Sequence, residues 1–207
     1  MASLAGKNGK PILGGQALSP VQNPARRLLL QGLLASASVL TLNTVFMPHA
    51  KAASERLVTV VEFDNSGRRL GARQLPLVVK TQAAWRQQLS PLAFEVTREN
   101  GTERAFSGDY QKPSVPGIFR CICCGTALFD AATEFHSGTG WPSFWQPIAR
   151  ENVREQVDTS LGMRRVAVSC VRCAAHLGHV FEDGPEPTGL RYCMNSVALR
   201  FAQATPA

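Results

Sequence analysis

The six cysteines of this chain divide by spacing into two uses. Four of them form the pairs Cys121-x-x-Cys124 and Cys170-x-x-Cys173. Two intervening residues let one tight turn bring both thiolates of a pair to a single metal ion, and Gly125 suits the backbone reversal after the second ligand. Four thiolates make a closed tetrahedral site for one structural Zn2+, with no open position for chemistry. The 45 residues between the pairs exceed the span of a compact zinc finger, so the ion would tie two distant hairpins together. A disulfide framework in an oxidising compartment, or a redox C-x-x-C, would use the same residues. The shared spacing of the pairs, and two further cysteines left for other work, favour the metal.

Those two are Cys123 and Cys193. Cys193 lies in Gly189-Leu190-Arg191-Tyr192-Cys193-Met194-Asn195-Ser196. A lone thiol is usually a small buried hydrophobe. Arg191, two positions earlier, argues for a nucleophile, because nearby positive charge lowers a thiol's pKa. His176 and His179 stand three apart in His176-Leu177-Gly178-His179-Val180-Phe181. They could ligate a metal, but the four cysteines already satisfy one, and histidine near a reactive thiol serves as acid or base at neutral pH.

The elements that must hold these residues are short. Leu57–Phe63 is β-branched and reads as a strand, turned by Asn65-Ser66-Gly67 and paired with Leu75–Val79. Thr81 offers an N-cap to a short helix through Trp85 and Leu89, and Pro91 starts a second helical piece with Leu92, Phe94 and Val96. Residues 97–116 are polar and turn-rich, a wrapping loop. From Gly117 onward, apolar runs such as Gly117–Arg120, Arg165–Val168 and Ser196–Phe201 alternate with Gly, Pro and Asp clusters, the pattern of short antiparallel strands.

The net charge of +7 does not mark a nucleic-acid binder. Residues 1–52 carry five basic side chains and no acidic one, which leaves 17 basic against 15 acidic residues in the rest. That leader has Arg26-Arg27 before Leu28-Leu29-Leu30, a mildly apolar run to about Met47, and Ala50-Lys51-Ala52 as a cleavage site. Paired arginines before a leucine run resemble a twin-arginine export signal, which predicts cleavage after Ala52, a bacterial periplasmic location and no stable membrane association afterwards.

Three longer motifs resemble the methionine-R-sulfoxide reductase family, MsrB: Ser137-Gly138-Thr139-Gly140-Trp141-Pro142-Ser143-Phe144, His176 to Pro185, and Gly189 to Ser196. Thr97 to Arg104 resembles that family's approach to its first cysteine pair, and the likeness runs from about Leu89 to Phe201. It implies a mainly β fold of two antiparallel sheets, the β-tent type, with short peripheral helices and a structural zinc site. Together with the leader, this gives a domain layout of a cleaved export signal over 1–52, an extension of unassigned role over 53–88 and a catalytic domain over 89–207.

The implied chemistry is reduction of methionine-R-sulfoxide in oxidised proteins or peptides. Trp141 would wall a pocket for the S-methyl group, with Phe181 beside it. His176 and His179 would bond the sulfoxide oxygen, Asn195 and Arg191 would organise the site, and Cys193 would attack the sulfur and become a sulfenic acid as methionine is released. Many family members carry a resolving cysteine where this chain has Thr139. Either Cys123 resolves the sulfenic acid, or a thioredoxin-like or other thiol reductant attacks Cys193 directly. The alternative is a zinc-stapled binding module that has lost the chemistry.

Overall fold

The computed structural model describes residues 56–108 and 114–205, so the leader and its expected cleavage site lie outside the described residues. The described chain opens with a hairpin of β1, Leu57–Phe63, and β2, Arg69–Pro76. The expected partner of β1 began later, at Leu75. The Asp64 carboxylate accepts from the N–H groups of Ser66 (3.0 Å) and Arg68 (3.1 Å). The turn therefore closes at Arg68 and the ladder starts at once. β2 is mostly exposed and carries no apolar alternation that could announce it.

Two helices follow, α1 over Gln82–Gln88 and α2 over Pro91–Glu99. Thr81 caps α1 as expected, accepting from the Ala84 N–H at 3.2 Å, and Ser90 caps α2 with Pro91 in its first turn. Helix α2 ends at Asn100, whose left-handed backbone (φ 59°) stops it three residues beyond Val96. Residues 100–108 form no regular element.

The remaining strands are β3 (Gly117–Cys121), β4 (Ala127–Asp130), β5 (Glu134–Phe135), β6 (Ser143–Phe144), β7 (Val153–Asp158), β8 (Arg165–Cys170), β9 (His176–Phe181), β10 (Arg191–Met194) and β11 (Leu199–Gln203). They form a six-stranded sheet in the order β5-β6-β10-β9-β8-β7 and a three-stranded sheet β11-β3-β4, every pairing antiparallel. That is the expected pair of sheets, with the β1–β2 hairpin as a third. Residues 196–198, expected to be strand, form a 3-10 turn instead, because the Glu103 carboxylate takes the N–H groups of Ser196 (2.6 Å) and Val197 (3.2 Å).

Aromatic side chains join the two sheets. Phe129 of β4 stacks on Phe144 of β6 at 4.4 Å, and Phe119 of β3 meets the same ring edge-on at 5.1 Å. Tyr192, Leu177 and Met194 bring β9 and β10 into this core, and Trp85 extends it beneath the helices. The hairpin docks through the buried Asn152, which accepts from Val61 N–H and donates to the carbonyls of Val61 and Ala127, each at 2.8 Å. Among the described residues no helix is long and apolar enough to cross a membrane.

Candidate active site

Cys193 sits half-buried on β10 between β6 and β9, in register with Ser143 on one side and His179 on the other. The approach of β9 to β10 depends on Gly178: a Cβ there would lie 2.1 Å from the Cys193 carbonyl oxygen. Any larger residue would push the strand that carries the thiol away.

Five residues expected from sequence line one cavity of about 120 Å³: Cys193, His179, Asn195, Trp141 and Phe181. Drug-sized ligands occupy roughly 300–1,000 Å³, so this cavity takes the tip of a side chain. Thr102 and Arg165 also line it; Thr102 lies in the Thr97 to Arg104 motif, and neither was assigned a role from the sequence. Arg191 stands outside. Its guanidinium makes two hydrogen bonds to Asp183, at 2.9 and 2.8 Å, and lies 4.5 Å above the Phe181 ring, so it fixes one wall from behind.

His176 does not line this cavity. It lines a wider neighbouring cavity and meets His179 edge-on at 5.2 Å. Burial lowers its pKa to about 4, helped by the neighbouring His179, so it is neutral at pH 7. His179 bridges the two cavities, and its Nε2 lies 2.8 Å from the Asp158 carboxylate. Hydrogen bonds from Ser160 first, then from His179, hold Asp158 ionised well below the usual carboxylate range. Arg165 bonds the same oxygen at 2.8 Å. An ionised carboxylate can only accept, so Nε2 of His179 carries a proton. Asp158 comes from β7, 21 residues before its partner, which is why no local motif showed it.

Glu103 is the other residue that spacing did not single out. Its buried carboxylate holds the 196–198 turn, its carbonyl accepts from the Trp141 indole at 3.1 Å, and its N–H donates to the Asn195 side chain at 2.9 Å. Asn195 also donates to the Leu177 carbonyl at 3.0 Å. Both ends of its amide are engaged, so it ties the loop to β9.

Burial pushes the Cys193 thiol up, above its ordinary value; Thr139, then Arg191 and Ser143, oppose that rise without overcoming it. Arg191 lowers the thiol's pKa as its place in the sequence suggests, but desolvation outweighs that contribution. At rest the sulfur is a thiol.

The remaining cysteines are grouped around another point. The Sγ atoms of Cys121, Cys124, Cys170 and Cys173 all lie within 4.8 Å of one another, with closest separations of 3.6 Å (Cys121–Cys173) and 3.5 Å (Cys124–Cys170). Metal–sulfur bonds of about 2.3 Å in a tetrahedron put sulfurs about 3.8 Å apart, so the four thiols fit one metal ion. Both knuckles share one backbone. The N–H groups of Gly125 and Ala174 donate to the carbonyls of Cys121 and Cys170 at 2.8 and 2.9 Å, and both residues are left-handed, at φ 76° and 55°. Cys123, the candidate resolving thiol, is buried beside this cluster with its sulfur 3.5 Å from Thr97 Oγ1. It does not line the cavity that holds Cys193.

A SelR domain model matches residues 89–203. Over 117 residues the chain is 57 % identical to a peptide methionine sulfoxide reductase MsrB of Pseudomonas aeruginosa, covering 56 % of this chain and 89 % of that protein. It is 55 % identical over 125 residues to the protein of that name from Chromohalobacter salexigens, covering 60 % and 94 %. The Methylibium petroleiphilum counterpart is 55 % identical over 124 residues, covering 60 % and 90 %.

Proposed function

The chain belongs to the SelR-domain family, and from that premise we propose that it reduces the R epimer of methionine sulfoxide in oxidised polypeptides, with Cys193 taking the oxygen. Methionine sulfoxide reduction itself follows from identity of 55–57 % over at least 89 % of relatives named for that reaction. The observation that carries the residue roles is the single small cavity where a sulfur, an indole wall and a carboxylate-backed imidazole meet.

In this reading Trp141 and Phe181 receive the S-methyl group, and the cavity's size admits little beyond the sulfinyl end. His179, oriented by Asp158, donates to the sulfoxide oxygen when both its ring nitrogens carry protons, and makes the sulfur electrophilic. The Cys193 sulfur attacks, the S–O bond passes to it, and the thiol's proton ends on the transferred oxygen. Methionine sulfur gains two electrons and Cys193 loses two, becoming a sulfenic acid. Thr139 supplies no second thiol there, and Cys123 lies buried by the metal cluster. An external thiol reductant of the thioredoxin-like kind therefore displaces water from Cys193. Its second thiol then releases the enzyme as the reductant's disulfide.

The resident metal of the four-cysteine cluster is Zn2+ in this proposal, supported by the all-thiolate donor set and the sulfur spacing. When bound it supplies no reaction chemistry and ties the β3–β4 and β8–β9 turns together. The place of action is the bacterial periplasm, supported by Arg26-Arg27, the leucine run and Ala50-Lys51-Ala52. Replacing both arginines with lysine should stop export; continued export points to the general secretory route.

The decisive assay uses a racemic methionine sulfoxide peptide with dithiothreitol. The protein should consume only the R epimer. Cys193→Ser should consume neither, while its metal content and melting temperature stay at the wild-type level. Turnover by Cys193→Ser, or loss of the S epimer, contradicts the proposal.

A further inference from the structure

A chain of hydroxyls runs from the Cys193 sulfur to a main-chain carbonyl. Thr139 Oγ1 lies 3.8 Å from Sγ, Ser137 Oγ lies 2.8 Å from Thr139, and Ser143 Oγ lies 2.7 Å from Ser137. At the far end Ser143 donates to the Trp141 carbonyl at 3.2 Å. Ser143 also faces Cys193 across the β6–β10 ladder, so the chain folds back toward the sulfur.

Each hydroxyl has one proton to give, whereas a carbonyl can only accept. The Trp141 carbonyl therefore sets the direction of every bond before it. Ser143 spends its proton there, Ser137 donates to Ser143, Thr139 donates to Ser137, and the Cys193 S–H donates to Thr139. Four donors meet four acceptors, and the sulfur is satisfied as a thiol. Once the sulfur loses its proton, the same three hydroxyls satisfy it by turning round. Thr139 then donates to the thiolate, Ser137 to Thr139, and Ser143 to Ser137. No proton enters or leaves the chain, and one bond, to the Trp141 carbonyl, is given up.

We propose that Thr139, Ser137 and Ser143 form a reversible hydrogen-bond chain that holds Cys193 as a thiol at rest and stabilises its thiolate for attack. Thr139 touches the reacting sulfur and is the catalytic member; Ser137 acts through it as a positioning residue. This inference rests on Cys193 being the nucleophile. Other ionisable groups stand around the same sulfur: Arg191, bound to Asp183, behind one wall of the cavity, and His179 and Arg165, both bound to Asp158, in its lining. All of them persist in the variants below, so the comparison isolates the hydroxyls.

The test is the pH dependence of Cys193 alkylation by iodoacetamide in the full, metal-loaded chain, located by peptide mass. Alkylation needs no turnover, so its outcome is independent of the reductase assay. Thr139→Val should raise the apparent thiol pKa by about one unit, the effect of losing one hydrogen bond to a charged group. Ser137→Ala should raise it by less, although it leaves Thr139 in place, and Thr139→Ser should restore the wild-type value. An unchanged pKa in Thr139→Val overturns the proposal. A shift in Thr139→Val with none in Ser137→Ala overturns the chain and leaves a single hydrogen bond. Melting curves establish that each variant is folded; should Thr139→Val not fold, Ser137→Ala decides alone.

Discussion

At the scale of single residues, activity depends on how Cys193 and His179 share their surroundings. The sulfur is desolvated and protonated at rest, whereas the imidazole is backed by an ionised carboxylate. Asp158→Asn should lower kcat/KM about 10- to 100-fold, within the range for losing support to an acid–base group, with KM little changed. It should also flatten acid unfolding. A carboxylate with a depressed folded pKa contributes stability that is present at neutral pH and lost as pH falls through that lowered value. The melting temperature of the Asn variant should therefore vary less with pH in the acid range. Much of this site was legible as residues: Cys193, Trp141, His179, Phe181 and Asn195 stand in contiguous motifs and do share a cavity. What was not legible came from elsewhere in the chain. Asp158 reaches His179 through the pairing of β7 with β8 and β8 with β9, and Glu103 reaches the 196–198 turn across 93 residues. The net rise of the Cys193 pKa also escaped, because it comes from burial, which a neighbouring arginine in sequence cannot indicate.

At the scale of elements, the site is held by short strands whose positions are set by a few buried polar groups. Asn152 is the clearest case outside the site, since one fully buried amide joins β1 to β4. Asn152→Ala would leave the Val61 N–H and two carbonyls without their partner, at a cost of about 2–4 kcal/mol. Denaturant unfolding should register that loss while kcat is retained. The capped helices and β1 were readable because caps and β-branched runs are local signals. β2 starts earlier than its residues suggest, because an exposed strand has no apolar period to mark it. The expected strand at 196–198 failed because a carboxylate from the 100–108 loop competes for its N–H groups. β5 and β6 are two residues long and fall below any periodic signal, yet β6 carries Ser143 to the sulfur's side.

At the scale of the whole molecule, the family match over 89–203 is packed on a segment that lies outside it. Trp85 is in the main core, Gln88 donates to the Cys123 carbonyl at 2.8 Å, and Val78 N–H donates to the Arg172 carbonyl at 2.8 Å. Both metal knuckles are thus braced by residues that precede the catalytic region. Cys121→Ser should lose the metal and several kcal/mol of folding free energy together, read as a lower melting temperature in step with metal content. A normally folded, metal-loaded Cys121→Ser protein would contradict the division of labour among the cysteines. The most direct test of the central claim is a single turnover of the intact chain with methionine-R-sulfoxide peptide, without reductant and with dimedone present, followed by peptide mass mapping. The account predicts one methionine formed per chain and one dimedone adduct, on Cys193. Methionine formed with Cys193 unmodified, or with the adduct on Cys123, would contradict it.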